Sequence, residues 1–190
     1  MVRLVRQVRL AVLALLLLAP PALAASATDA AALAGGAYCG ITWGSLQQAV
    51  GAGPGLPPSS PIDAVRTGRH RCYDRMVIEL QGAPGGYRVG YVPAVAHQAK
   101  DETVPLRGGA FLQVVLFAPV YDEQGNVTVN VNALPGVRGY RTFRQLGSGG
   151  SFEGYTTIGL GVRARLPFRV FTLAGPGSGS RLVIDVAHRW

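Results

Sequence analysis

Hydrophobic and polar residues alternate along several short stretches of the chain, as they do in strands with one buried face. The stretch RLVIDV at residues 181–186 is the clearest example, and RMVIEL at residues 75–80 matches it position by position. Successive side chains of a strand point to opposite faces of its sheet. The pattern therefore predicts a buried face in each stretch, made of Met76, Ile78 and Leu80 in the first and of Leu182, Ile184 and Val186 in the second.

The likeness of these two stretches also suggests how they pair. If they are antiparallel neighbours in register about their central valines, the arginine of each stretch faces the acidic residue of the other. The facing pairs are then Val77 with Val183, Arg75 with Asp185, and Arg181 with Glu79. Opposite charges that face each other across two strands contribute about 0.2 to 1 kcal/mol. Six residues do not establish an internal duplication, so this pairing is a hypothesis.

Runs rich in β-branched and aromatic residues recur from residue 62 onwards, with Gly, Pro and Asn at the turns between them. Several short strands at such spacing are typical of a β-sandwich or barrel. The sequence therefore predicts an all-β fold, a single sandwich-like domain of about nine short strands. The predicted strands are residues 62–67, 73–81, 86–92, 110–117, 127–131, 137–145, 152–162, 168–173 and 181–187, the last two forming a terminal hairpin.

Residues 1–24 have the three parts of a secretory signal peptide: an arginine-containing start, an apolar run at residues 10–19 and a small-residue exit. Cleavage is predicted after Ala24, with Ala27 as the second choice. The apolar run is shorter than the about 20 residues that span a bilayer. No cysteine follows it closely enough to carry a lipid. We therefore expect a secreted chain with no stable membrane anchor after cleavage.

Residues 25–61 are predicted to hold a flexible leader, a segment containing Cys39 and a linker. Within this segment, Ser45 predicts the cap of a short helix that runs to Val50. Four prolines and three glycines follow by residue 61, a composition typical of a linker. The β domain is therefore expected to occupy residues 62–190.

The chain holds two cysteines, Cys39 and Cys72. An even number in an exported chain predicts a disulfide. This disulfide would close a loop of about 34 residues, which removes unfolded-state entropy equivalent to roughly 3 to 4 kcal/mol. A metal site or a reactive thiol is the alternative, but His70, His97 and His188 lack the spacing of metal ligands. No metal or cofactor is predicted.

The charge balance is basic, with a formal net charge of +8 for the whole chain. Loss of residues 1–24 leaves a net charge of about +5, which favours polyanionic surfaces such as peptidoglycan carboxylates and teichoic acids. Nucleic acid is not an expected partner of an exported protein. The densest basic and aromatic cluster gives the candidate binding residues: Arg138, Tyr140, Arg141 and Arg144. The alternative interpretation of this cluster is a solvated strand with one buried face, and the same alternative applies to Tyr87 and Tyr91.

No strong catalytic motif is present in the sequence. His70, an aspartate at residue 101 or 122, and Ser148 follow one another in the order of a chymotrypsin-like protease. Such a protease needs an aspartate immediately before the serine, where this chain has Gly147, and it needs two full barrels. Residues 146–151 are therefore interpreted as a flexible glycine-serine loop, and no enzymatic activity is predicted.

Three stretches carry a resemblance to a known family: RTGRHRCYDRMVIEL at residues 66–80, SFEGYTTIGLGVR at residues 151–163 and the terminal FRVF..L....SRLVIDV. Together they resemble the secreted AMIN-like domain proteins of high-GC Gram-positive bacteria. These proteins are relatives of the AMIN modules found beside N-acetylmuramoyl-alanine amidases and secretins. The resemblance extends over residues 38–190, and the cysteine pair also belongs to the family pattern.

This resemblance implies a non-catalytic β-sandwich of the cell envelope, and it supplies no catalytic residues. For such modules peptidoglycan binding is the usual proposal. The expected function is therefore binding of peptidoglycan or an associated anionic wall polymer outside the cell. The alternative is a protein–protein interaction module that helps to localise or assemble another secreted protein.

Overall fold

The computed structural model describes residues 37–51 and 60–190. These residues form nine strands and no helix, so the predicted all-β fold is confirmed. The strands are β1 (Gln48–Val50), β2 (Ile62–Arg69), β3 (Tyr73–Leu80), β4 (Tyr87–Val92), β5 (Ala110–Leu116), β6 (Phe143–Phe152), β7 (Tyr155–Val162), β8 (Phe168–Ala174) and β9 (Ser180–Ala187). The predicted signal peptide, the leader up to residue 36 and residues 52–59 of the linker lie outside the described residues. Within the described part of the chain, no helix is long and apolar enough to cross a membrane.

Two antiparallel sheets pack face to face as a sandwich. One sheet has five strands in the order β1-β4-β5-β7-β6, and the other has four in the order β2-β3-β9-β8. Alternate residues of the strands point between the sheets and form one core. The six residues predicted to be buried from the alternation in β3 and β9 all belong to this core.

The predicted pairing of β3 with β9 is also confirmed, with Val77 opposite Val183. Each arginine faces the acidic residue of the other strand, as the register requires, but only Arg75 and Asp185 form an ion pair. The carboxylate of Glu79 binds Arg66 on β2 instead, at 3.0 Å. Arg181 donates to a backbone carbonyl of β8. The register is therefore fixed mainly by the buried apolar faces. The charged side chains on the outer face also bond to the neighbouring strands β2 and β8.

Two of the predicted strands are wrong. Residues 127–131 make only an isolated bridge through Val127, and β6 begins at Phe143 rather than at residue 137. Val129, Leu134 and Tyr140 nevertheless pack against the core from this irregular segment. Because apolar residues in a loop that covers a sheet edge are also buried, they produce a strand-like pattern without pairing.

The predicted helix between Ser45 and Val50 is also wrong, because this stretch contains β1 and pairs with both sheets. Gly44 pairs with Phe168 at the start of β8, and the side chain of Gln48 binds the backbone of β8 by accepting from Val170 N at 3.0 Å. β1 itself pairs with β4 of the other sheet. Two edge strands thus offer this segment more backbone partners than one short helical turn provides.

The glycine-serine stretch at residues 146–151 is not a loop but the middle of β6. Gly147 in this stretch lies under the loop that connects β4 to β5. A Cβ atom at Gly147 would lie 2.7 Å from Val104 Cγ1, and one at Gly159 on β7 would lie 2.7 Å from Leu106 Cδ1. Glycine is therefore required here for the close approach of a covering loop, which is one of the usual reasons for glycine within a strand.

The disulfide predicted between Cys39 and Cys72 is present, with the two Cα atoms 6.4 Å apart. It joins the first described segment to the residue just before β3. Trp43 of this segment is buried, its ring meets Tyr73 edge to face at 5.9 Å, and its indole N–H donates to Tyr38 O. The segment thus packs onto the four-stranded sheet as well as extending the five-stranded one.

Candidate functional site

Exposed arginines gather at one end of the sandwich, where β2, β4, β7 and β9 end and β3, β5, β6 and β8 begin. We call it the basic end. Its exposed arginines are Arg69, Arg71, Arg107, Arg138, Arg141, Arg163, Arg165 and Arg189. They come from the turns and strand termini of both sheets, and they are spread over residues 69 to 189. The folding of the chain, rather than any one motif, therefore brings this charge together.

Acidic residues lie mostly at or near the opposite end, which we call the acidic end. Asp63 and Glu79 lie near the start of β2 and the end of β3, while Glu153 lies in the turn between β6 and β7. Asp122 and Glu123 lie in the loop that follows β5, and Asp101 and Glu102 are exposed in the loop between β4 and β5. The net positive charge of the chain is thus concentrated on one end of the molecule.

Within the described residues, two acidic side chains do lie at the basic end, but both are buried. Asp74 is one of them. Its carboxylate accepts hydrogen bonds from Thr142 N at 2.5 Å and Phe143 N at 3.0 Å, and it lies 3.1 Å from His188 Nε2. It therefore bonds the start of β6 to the four-stranded sheet. Because this carboxylate is buried, it is not part of the charged surface that the exposed arginines form.

Asp185 is the second buried carboxylate, and it lies between two arginines on the outer face of the four-stranded sheet. Arg75 donates to both of its oxygens, at 2.6 and 2.9 Å, and Arg169 donates to one at 2.8 Å. The hydrogen bond to Asp185 raises the pKa of Arg75. Both guanidinium groups also lie over the rings of Tyr73 and Phe171. Both arginines are paired with this one carboxylate and packed on aromatic rings, so they belong to the structure of the sheet.

A cleft of about 460 Å³ opens at the basic end. Among the described residues, it is lined by Arg107, Val137, Arg138, Gly139, Tyr140, Phe143 and Arg144, so this lining has three arginines and no acid. Guanidinium groups supply planar donors for carboxylate and phosphate oxygens. The cleft is therefore suited to an anionic group.

Three of the four candidate residues from the sequence, Arg138, Tyr140 and Arg144, line this cleft, and Arg141 belongs to the same loop without lining it. Arg138 and Arg141 are exposed, and their side chains make no hydrogen bond or ion pair within the described part of the chain. The guanidinium of Arg144 instead donates to backbone carbonyls, including Phe143 O at 3.0 Å and Tyr140 O at 3.3 Å. Arg138 and Arg141 are thus available to a ligand, whereas Arg144 holds the loop before β6 in place.

Tyr140 is packed rather than free. Its ring stacks in parallel on Phe143 with centroids 5.8 Å apart, Arg69 lies over it, and its hydroxyl contacts Thr67 Oγ1 at 3.0 Å. It forms an apolar floor for the cleft. Tyr87 and Tyr91 both pack in or against the core between the sheets.

Sequence reasoning missed Arg69 and Arg107. Arg69 ends β2, and Arg107 precedes β5, where its backbone N–H and guanidinium both donate to the side chain of Gln145. Neither residue is close in sequence to the cluster at residues 138–144. Only the order of strands in the sheets, which the sequence does not reveal, places them at the same end.

The weak catalytic candidates lie on different elements. Ser148 lies within β6 of the five-stranded sheet, where its hydroxyl accepts from Gly150 N, and His70 follows β2 of the other sheet and stacks on Tyr73. Among the described residues, no group of three or more His, Cys, Asp or Glu side chains is arranged to hold a metal ion.

Residues 60–188 match the family model described as AMIN-like domain. The chain belongs to the AMIN-like domain family. AMIN-like domains are non-catalytic modules, typically associated with the cell wall or envelope. Neither a curated protein nor a solved structure matches the chain.

Proposed function

We propose that this AMIN-like domain is a secreted, non-catalytic module that binds an anionic polymer of the cell wall, peptidoglycan or a polymer attached to it, through its basic end. The observation that carries this proposal is the segregation of charge. Exposed arginines occupy one end and surround a cleft, while the two acids of that end are buried and bonded.

A polyanion is attracted more strongly to charges gathered on one surface than to the same number of charges spread evenly over the molecule. Charges of one sign on one surface add their potentials and attract the opposite charge over the Debye length, about 8 Å at physiological ionic strength. Arg138 supplies unoccupied donors in the cleft and Arg107 lies on its wall, while Arg141 adds an exposed guanidinium in the same loop. The disulfide supports export to an oxidising compartment, where such polymers are found.

Cosedimentation of the chain lacking residues 1–24 with purified cell walls tests this proposal. We expect retention that falls as salt rises from about 0.15 M to about 1 M, because the Debye length then shrinks from about 8 to 3 Å. Walls stripped of proteins should retain the chain as well as untreated walls. Binding that disappears when wall proteins are removed would favour the protein-interaction alternative and contradict the proposal.

A further inference from the structure

Trp190 is the exposed aromatic side chain of the basic end. Within the described residues three Phe, Tyr or Trp side chains are exposed, and two of them, Tyr121 and Phe152, lie towards the acidic end. Trp190 is 53% exposed, whereas Trp43, the other tryptophan of the chain, is 2% exposed. It follows the residues that match the family model, which end at residue 188. An exposed ring of this size in an arginine-rich surface offers a ligand an apolar face beside cationic donors.

The indole ring is held in place by the protein. Its Nε1–H donates to Arg165 O at 3.2 Å, so the polar atom of the ring is occupied and an apolar face remains. The neighbouring arginines are also held, since Arg165 lies over the ring of Tyr91 and Arg189 over that of Tyr38, each at 4.7 Å. An ordered ring beside ordered cations loses little side-chain entropy on binding.

Trp190 and the cleft belong to one continuous surface. Arg163 lies between them: its backbone N–H donates to Thr142 O on the cleft side, and its guanidinium donates to His188 O on the Trp190 side. A polymer that enters the cleft can therefore reach Trp190 across the positively charged surface at Arg163.

We propose that Trp190, flanked by Arg165 and Arg189, is a sugar-stacking subsite, and that the ligand of the basic end is the glycan strand of peptidoglycan rather than a polyol phosphate. A sugar ring has an apolar C–H face that fits an indole face, and the carboxylates of the peptides attached to the glycan fit guanidinium donors. A polyanion without sugar rings would contact the arginines but would not stack on the indole ring of Trp190. This inference rests on the proposed function of the basic end.

The test compares variants on peptidoglycan from which phosphodiester-linked polymers have been removed by acid. Trp190→Ala should weaken binding by roughly fivefold to tenfold, the effect of losing one aromatic contact. Trp190→Phe, which keeps a ring, should retain most of the affinity. Phe152→Ala is the matched control, because Phe152 is similarly exposed but lies at the acidic end. The loss in Trp190→Ala should persist at about 1 M salt, since stacking is not screened by ions.

Fluorescence provides a second readout. Soluble glycan fragments released from peptidoglycan should shift the emission of wild-type protein to the blue and protect it from acrylamide, and Trp190→Phe should show neither change because Trp43 is already buried. Polyphosphate should not protect Trp190.

Equal affinity of Trp190→Ala and wild type for stripped peptidoglycan would overturn the inference, as would equal protection by polyphosphate and glycan fragments. Wild-type binding to untreated walls but not to stripped peptidoglycan would refute the glycan subsite while leaving the proposed function intact. Absence of binding to both materials would refute the proposed function, and the subsite with it.

Discussion

Arg75 and Asp185 lie directly opposite each other on β3 and β9 and are joined by two hydrogen bonds, although their positions are 110 residues apart in the chain. Arg169 on β8 completes the group from the other side of Asp185. Three adjacent strands of the four-stranded sheet are thus linked by one buried carboxylate. This link lies beside the basic end and holds two arginines of that region in ion pairs with one carboxylate.

Replacement of Asp185 by asparagine should be costly, because it leaves two partly buried arginines without their counter-charge. We expect a loss of about 3 kcal/mol in the free energy of unfolding, at the low end for a broken buried pair since both guanidinium groups reach solvent. Glu79→Gln is the control, because its partner Arg66 is exposed and such pairs contribute less than about 1 kcal/mol. Urea unfolding of both variants measures the difference, and similar losses would contradict this role of Asp185.

The covering loop between β4 and β5 gives a second prediction. Gly147→Ala places a Cβ atom 2.7 Å from Val104 Cγ1, so we expect a loss of about 1 to 3 kcal/mol from overpacking. Gly136→Ala is the matched control, because nothing lies within 4 Å of a Cβ atom there. Thermal unfolding distinguishes the two variants. If Gly147→Ala is as stable as Gly136→Ala, the loop does not press on β6.

The sequence was sufficient to predict the all-β fold, the buried faces of β3 and β9 and the disulfide, whereas the register of the two strands was a hypothesis that the structure bears out. These features depend on period-2 alternation and on residue type, which are local. The glycine-serine stretch of β6 is wrongly predicted as a loop, because the sequence alone does not distinguish a glycine within a covered strand from a glycine in a loop. Arg107 could not be assigned to the candidate site for a similar reason, since its position depends on strand order.

The raised pKa of Tyr91 leads us to expect that the free energy of unfolding falls at alkaline pH. Burial raises its pKa from 10.0 to about 12, against smaller opposite effects of its hydrogen bond to Leu166 and of Arg165. The neutral ring is therefore favoured in the folded state, and its contribution to stability is complete below about pH 10 and is lost as pH rises through about 12.

Tyr91→Phe should weaken this alkaline dependence, measured as the urea midpoint across that pH range. Part of the dependence should remain, because burial also raises the pKa of Tyr87. At neutral pH the variant should lose about 1 to 3 kcal/mol, since the hydroxyl bonds both Leu166 O and Leu166 N. An unchanged alkaline profile would show that Tyr91 does not titrate with folding.

The disulfide should stabilise the first segment as well as the whole fold. Replacing Cys39 and Cys72 by serine should lower the free energy of unfolding by roughly 3 kcal/mol, because the unfolded chain gains the entropy of an open loop. In a Trp190→Phe background, Trp43 is the remaining tryptophan, and its quenching by acrylamide should rise as the segment loosens. Equal quenching with and without the disulfide would mean that Trp43 is held by packing alone.

The central claim is that the position of the charge, and not its total, attracts the wall polymer. Arg138→Glu with Arg141→Glu reverses two exposed charges at the basic end. Arg88→Glu with Lys100→Glu makes the same change in net charge on exposed residues away from it. Their dissociation constants for purified walls at about 0.15 M salt should differ by at least about tenfold, with the first pair weaker and the second close to wild type. Equal weakening by the two pairs would contradict the claim.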